Sequence, residues 1–340
     1  MKIERILGMF AIVVSIAMGS SLVEKVKGSG LKAIPSSNYE LLQLIDDPKD
    51  PITDAKVELG KKLYFDPRLS RSNLISCNTC HNLALGGVDG VSAAVGHKWT
   101  ANPHHLNSPT VYNSVFFDAQ FWDGRSAHLA DQAQGPVQAG PEMASPKALV
   151  EKRINSIPEY VNEFKVAYGD HVKVDFERIT STIALFEKTL VTPSRFDLFL
   201  NGNENALSKE EKKGLNTFID KGCASCHNGI ALGGTLQPFE VAAKYKFSEI
   251  GDFKGNKDGM VKTPTLRNIT QTAPYFHNGA IWSLPDAIKE MGSVQLGIKI
   301  SDNEAKEILT FFKALEGKKP VIVYPELPKS SETTPKPTFN

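Results

Sequence analysis

The sequence lacks a strong charge bias, long apolar runs and the alternating pattern of strands. Each absence disfavours a kind of partner or a class of fold. Its formal net charge is +1 over 340 residues, which gives no indication of nucleic acid or a membrane surface as a partner. The apolar run over 6–18 is shorter than the roughly 20 residues that span a bilayer. Apolar residues instead recur at helical spacing over 54–65, 175–191, 208–219 and 302–316. We therefore expect a mainly α-helical protein with few or no strands.

The N-terminus has the layout of a secretory signal peptide. Lys2 and Arg5 precede the apolar run, and the small residues Gly19 and Ser20 follow it. An uncleaved membrane anchor is the alternative, and the shortness of the run disfavours it. We expect residues 1–20 to direct export to the periplasm and to be removed.

All four cysteines lie in two copies of the pattern Cys-x-x-Cys-His, at 77–81 and 223–227. A c-type haem needs two thioether bonds on one turn and an imidazole from the next residue, so this spacing is what haem attachment requires. Structural disulfides would not explain the histidines, and the cysteine pairs of a zinc site usually lie far closer in sequence. The pattern predicts two covalent haems, with the attachment and proximal residues Cys77, Cys80, His81, Cys223, Cys226 and His227.

The two motifs belong to an internal repeat. Pro-Thr-x-x-Asn at 109–113 recurs at 264–268, and Phe-x-x-Gly at 121–124 recurs at 276–279, both at an offset of 155 residues. A constant offset over this distance indicates a duplicated domain.

The repeat predicts two tandem cytochrome-c-like domains, each wrapped around one haem. We place the first in residues 21–200 and the second in residues 201–316. The remaining residues, 317–340, are rich in proline and poor in apolar periodicity, so we expect an extended or disordered tail.

The halves differ where the sixth ligand of each iron would come from. The first half has His97, His104 and His105 in the loop after its haem motif, whereas the matching loop of the second half has no histidine. The second half has Met291 where the offset puts Pro136 in the first. A thioether raises the potential of a haem, and a histidine on a loop could leave its iron, so we predict an electron-storing second haem and a reactive first haem. The alternative for Met291 is an ordinary core methionine.

The chain resembles the bacterial di-haem cytochrome c peroxidases from about Asp47 to Leu315. Besides the haem motifs, the segments that carry the resemblance are 121–125, 135–143 and 291–297. The resemblance implies a homodimeric enzyme that reduces hydrogen peroxide to water. It also implies that the electrons come one at a time from a small periplasmic cytochrome c or blue copper protein.

The resemblance also implies roles for single residues. His97 matches the distal ligand of the peroxidatic haem, with His104 and His105 as alternatives, and Met291 matches the ligand of the high-potential haem. Trp122 matches a tryptophan that lies between the haems as an electron bridge.

Two further residues match groups on the side of the peroxidatic haem where peroxide binds. Glu142 matches the acid/base that moves a proton between the peroxide oxygens, and Gln132 matches an amide that hydrogen-bonds the bound oxygen.

A calcium ion between the domains is a further implication of the resemblance. Asn107 matches the side-chain ligand, and the backbone carbonyls of Thr272 and Pro274 match the other protein ligands.

Two alternatives stay open at this point. One is an electron-transfer cytochrome or peroxide sensor without turnover. The other is a maturation enzyme for a quinone cofactor, of the same superfamily, which has tyrosine where this chain has Met291.

Overall fold

The computed structural model describes residues 22–339, so the predicted signal peptide over residues 1–20 lies outside the described residues. The α-helices of the described part are α1 (Leu22–Gly28), α2 (Asn38–Ile45), α3 (Asp54–Phe65), α4 (Cys77–Cys80), α5 (Leu129–Gln132), α6 (Gln134–Gln138), α7 (Lys147–Asn155), α8 (Pro158–Tyr168), α9 (Phe176–Lys188), α10 (Arg195–Leu200), α11 (Lys209–Asp220), α12 (Leu284–Leu296) and α13 (Asp302–Phe312). Short 3-10 helices lie at Pro67–Leu69, Leu83–Leu85, Ser114–Phe116, Glu204–Ala206, Cys223–Ser225, Ile269–Gln271 and Lys313–Leu315. Within residues 22–339, no helix has the length and apolar character needed to cross a membrane.

The two strands in the described residues are short. β1 (Leu236–Pro238) and β2 (Met260–Lys262) pair antiparallel, with Leu236 opposite Lys262. The prediction of a mainly helical protein is therefore confirmed.

Polar caps fix where the predicted helices begin. Ser208 and Ser301 form capping boxes with Glu211 and Glu304 at the starts of α11 and α13, which satisfies backbone N–H groups that have no partner inside the helix. Asp175 accepts from the backbone of the first turn of α9. The predicted helix over 54–65 coincides with α3.

Two apolar cores organise the molecule. The first is built between Leu59 and Leu190, around the packing of α3 against α9. The second is built between Phe196 and Leu315, around the packing of α11 against α13, and it includes Val26 and Leu31 from the beginning of the described chain. This arrangement agrees with two tandem cytochrome-like units.

The internal repeat extends to the backbone conformation. Asn113 and Asn268, which are 155 positions apart, both adopt the left-handed region, with φ values of 62° and 59°. Phe121 and Phe276 do the same, with φ values of 66° and 69°. The amides of both asparagines donate to one hydroxyl, that of Thr192, at 2.8 and 2.9 Å. The duplicated segments therefore meet at this buried residue.

The tail from Gly317 is extended and returns to the first half of the molecule. Ile322 packs on the first core, Arg68 donates to the carbonyl of Pro328 at 2.7 Å, and the buried Arg153 donates to the carbonyl of Pro335 at 3.3 Å. Arginine side chains satisfy these two carbonyls, and Gly317 pairs antiparallel with Ser194 at the start of the tail.

A glycine allows the closest helix contact in each core. A Cβ atom at Gly60 of α3 would lie 2.2 Å from the carbonyl oxygen of Thr182, and one at Gly214 of α11 would lie 2.0 Å from that of Glu307. Both distances are far below van der Waals contact, so these helices can approach only if the side chain is missing.

We predict that Gly214→Ala lowers the stability of the protein by about 1–3 kcal/mol, because the methyl group forces α11 away from α13. Gly28→Ala is the matched control, because a Cβ atom at Gly28 meets nothing within 4 Å. Urea unfolding followed by far-ultraviolet circular dichroism measures both variants. Equal midpoints for the two variants would contradict the proposed close contact.

Candidate functional site

Both Cys-x-x-Cys-His motifs fold into a single tight turn. In the first, Ser76 and Thr79 form a capping box at α4, and the backbone N–H of His81 donates to the carbonyl of Cys77 at 2.9 Å. In the second, the N–H of His227 donates to the carbonyl of Cys223 at 3.0 Å. Each turn therefore presents two thiols and one imidazole in the order that haem attachment needs.

The cysteines form neither disulfides nor a shared zinc site in the described structure. All four are free thiols, and Cys77 packs on the first core whereas Cys223 packs on the second. Among residues 22–339, no group of three or more His, Cys, Asp or Glu side chains is arranged to hold a metal ion. The two structural alternatives to haem attachment are therefore not supported.

Backbone carbonyls orient the two proximal imidazoles. The Nδ1 atom of His81 lies 2.9 Å from the carbonyl oxygen of Pro109, and that of His227 lies 3.2 Å from the carbonyl oxygen of Leu232. A metal-bound histidine is typically held in this way through its other ring nitrogen, which leaves Nε2 for the metal. Burial lowers the pKa of both imidazoles, that of His227 to about 4, which favours the neutral form that ligation requires. These residues fit a haem.

A large apolar cavity lies beside the second motif. It encloses about 1610 Å³ of free space, part of it open to solvent, and its lining includes Cys223, Cys226, His227 and Met291. Met291 lies on α12, far from the motif in sequence. The structure therefore brings the predicted methionine and the predicted proximal histidine of the second half to one cavity.

His97 is the buried histidine of the loop after the first motif. It is 4% exposed, and its Nδ1 atom has no hydrogen-bond partner among the described residues. Its backbone N–H donates to the carbonyl of Glu142 at 2.7 Å, which ties the two predicted residues together. His104 instead lies at the surface and pairs with Asp252 at 2.9 Å. His105 is also outside the buried part of this loop.

Glu142 is half-buried close to the first motif. Burial raises the pKa of its carboxyl group, and the electrostatic effects of Arg125 and His104 oppose this rise. Its charge also acts on the thiol of Cys80, which places the carboxyl group near the haem attachment point. Gln132 ends α5 and is half-buried, and no hydrogen bond in the described structure joins its side chain to Glu142.

Trp122 comes from the first half but lines the cavity of the second. Its indole N–H donates to the carbonyl of Asn107 at 2.9 Å, and its ring lies edge-on to His277 at 6.4 Å between centroids. His277 is itself enclosed by aromatic rings, including that of Phe253 at 5.2 Å. The predicted bridging tryptophan therefore lies at the contact between the halves.

The predicted calcium ligands also meet at this contact. Asn107, Thr272 and Pro274 all line the cavity, and the amide nitrogen of Asn107 lies 2.7 Å from the carbonyl oxygen of Pro274. The side-chain amide of Asn107 would have to flip for its oxygen to face a cation. In such an amide, the oxygen and the nitrogen are told apart by their hydrogen-bond contacts. The residues thus fit a calcium ion only after this rotation.

Three residues that had no role predicted from the sequence lie near these sites in the structure. Arg125 stacks on the ring of Phe121 at 3.5 Å and acts on Glu142. Glu187 is a buried carboxyl group that acts on Cys77, and Lys262 is a buried amine in the cavity lining. Arg125 could have been found, because it ends the segment Phe-Trp-Asp-Gly-Arg. The other two have no local signal.

Comparison with known proteins adds an independent observation. Residues 54–205 match the model of the family described as di-haem cytochrome c peroxidase. The chain is 48% identical over 299 residues to cytochrome c551 peroxidase of Pseudomonas aeruginosa, covering 84% of this chain and 86% of that protein. It is 46% identical over 290 residues to cytochrome c551 peroxidase of Nitrosomonas europaea, covering 82% and 85%. A crystal structure of a MauG-like protein associated with microbial copper homeostasis shares the fold, with a TM-score of 0.69, 24% identity and coverage of 80% and 93%.

We predict that Met291→Ala lowers the reduction potential of the second haem, because the thioether that favours ferrous iron is removed. Met260→Ala is the control, since Met260 is a half-buried methionine outside the cavity lining. A redox titration followed by visible absorbance measures both variants. If the high-potential step survives Met291→Ala unchanged, Met291 does not ligate the iron.

Proposed function

The chain belongs to the di-haem cytochrome c peroxidase family, and on this premise we propose how its residues reduce hydrogen peroxide. It is an oxidoreductase of the cytochrome c peroxidase class that holds two haems. The observation that carries the proposal is the asymmetry of the two sites: His227 shares its cavity with Met291, whereas His81 has Glu142 and His97 on its side of the molecule.

We propose that the first haem is held by Cys77, Cys80 and His81 with His97 as its second ligand. The second is held by Cys223, Cys226 and His227 with Met291. When bound, the haems supply the electron storage and peroxide reduction that no side chain of this protein can perform. The protein contributes ligation, proton movement and the exclusion of water.

If His97 is the second ligand of the first haem, it would have to leave before peroxide binds. Its burial and the unpartnered Nδ1 atom support it over His104, which lies at the surface, and His105, which is half-buried. The preceding residue is Gly96, where a Cβ atom would lie 2.1 Å from the carbonyl oxygen of Pro141. The loop that carries His97 therefore lies directly against the segment that carries Glu142.

Glu142 moves the proton that peroxide cleavage requires. The reaction takes a proton from the inner peroxide oxygen and delivers it to the outer oxygen, which leaves as water. Partial burial suits the carboxyl group to this exchange, because it reduces the preference for the charged form. In this proposal Gln132 would donate a hydrogen bond to the peroxide.

Trp122 connects the two haem sites. It lies in the lining of the second cavity while its backbone belongs to the first half, and its indole is held by the carbonyl of Asn107. This position suits a residue through which electrons pass from one haem to the other.

Electrons reach the protein from a small cytochrome c or a blue copper protein in the periplasm. We further propose that the working form is a homodimer and that a calcium ion is bound by Asn107 with the carbonyls of Thr272 and Pro274. A sensor without turnover and a quinone-maturation enzyme are less favoured, because the relatives that are 43–48% identical are cytochrome c peroxidases.

We predict that Glu142→Gln lowers the rate of peroxide reduction by about 10²–10⁴-fold, because the amide cannot carry the proton. The absorption spectra of both haems are expected to remain those of the wild type. Glu159→Gln, on the exposed side of α8, is the matched control and keeps full activity. Stopped-flow oxidation of a reduced small cytochrome c measures the rates. Normal turnover of Glu142→Gln would remove Glu142 from the mechanism.

We predict that Asn107→Ala weakens calcium binding and that Asn107→Asp strengthens it, because calcium affinity follows the charge and number of oxygen ligands. Isothermal titration calorimetry on chelator-treated protein measures both. The same affinity in all three proteins would place the ion elsewhere.

A further inference from the structure

Lys262 is a buried cation at the contact between the two halves. It ends β2 and is 3% exposed, and its side chain lines the same cavity as His227 and Met291. Its ammonium group lies 4.7 Å from the centre of the Phe117 ring. The backbone N–H of Lys262 donates to the carbonyl of Trp122 at 2.7 Å, so the residue is fixed beside the bridging tryptophan.

Among residues 22–339, this ammonium group forms no ion pair. The charge of Asp123 acts on it, but Asp123 forms its ion pair with Arg125 at 2.8 Å. No residue within 22–339 forms a hydrogen bond with the Lys262 side chain, and the residues that line the cavity around it are mostly apolar. Burial accordingly lowers the pKa of this amine to about 7. A buried, unpaired charge costs free energy, and such a group normally has a counter-ion in the working protein.

The cavity itself indicates what that counter-ion is. A c-type haem uses its vinyl groups in the thioether bonds, so its two propionate carboxylates are the anionic groups left on its edge. Lys262 is also close enough to His81 for its charge to act on that imidazole, while it lines the cavity of the other haem. Lys262 therefore lies near both proximal histidines.

We propose that Lys262 forms an ion pair with a haem propionate at the contact between the two haem sites and acts there as a positioning residue. The proposal rests on the haem placement proposed above. The ion pair supplies the missing partner of the buried ammonium group and fixes one haem edge next to Trp122. It also raises the potential of that haem, because a nearby positive charge disfavours the ferric state.

The test is a redox titration of the haem-loaded protein with Lys262→Met. We expect a lower reduction potential for the haem whose propionate is paired, and the haem that shifts identifies the source of the carboxylate. Lys319→Met is the matched control, because it removes a partly buried lysine that lies over the Tyr112 ring and outside the cavity lining. Lys262→Arg keeps the charge, so its potentials are expected to stay close to those of the wild type.

Three results would overturn the proposal. The first is a Lys262→Met variant with both potentials unchanged, and the second is the same shift in Lys319→Met. The third needs no variant: a crystal structure of the haem-loaded wild type in which the Lys262 ammonium lies beyond ion-pairing distance of every propionate oxygen. If Lys262→Met fails to retain haem, the crystal structure of the haem-loaded wild type tests the proposal instead, through the distance from the Lys262 ammonium to the propionate oxygens. Haem content and peroxide turnover of the wild type test the proposed function separately, so the two failures can be told apart.

Discussion

The hydrogen bond that orients each proximal imidazole constrains much of the molecule. A carbonyl oxygen must lie next to the Nδ1 atom of each histidine. In the first half it belongs to Pro109, on a segment that returns to the haem motif, and Thr110 fastens this segment by donating to the carbonyl of Gly86 at 2.7 Å. In the second half it belongs to Leu232, five residues after His227, and Thr265 donates to the carbonyl of the preceding residue, Ala231, at 2.6 Å. The same threonine contact thus lies beside the haem motif in both halves.

The repeated segments tolerate different side chains at equivalent positions, provided that the polar groups of these side chains have hydrogen-bond partners. Tyr112 and Arg267 occupy equivalent positions, and each donates to a carbonyl of the neighbouring turn, at 2.9 and 2.5 Å. The buried arginine needs an additional partner, and Asp197 supplies it at 2.7 Å. The candidate axial ligands, by contrast, lie in segments that differ between the halves. Duplication therefore gave both halves the same framework. The two sites differ because the candidate axial ligands lie outside it, on the loop of His97 and on α12.

The two halves are joined through backbone groups at the place where the candidate electron path crosses. The N–H of Lys262 bonds to the carbonyl of Trp122, and the N–H of Asn107 bonds to the carbonyl of His277 at 2.8 Å. Thr192 adds a third connection by accepting from both repeated asparagines. Because the cavity of the second half borrows residues such as Trp122 and Asn107 from the first, the second half alone would not present it complete.

The sequence by itself determined the helical class, the duplication and the two haem motifs, because these depend on local periodicity, capping residues and fixed spacing. The resemblance added Glu142 and Trp122, whose local sequence carries no chemistry of its own. Tertiary structure alone decided that Met291 faces the cavity of His227, that His97 is buried while His104 is at the surface, and that the buried Lys262 side chain forms no ion pair with any residue of 22–339. Burial and charge pairing arise from residues far apart in the chain, so they become visible only after the chain has folded.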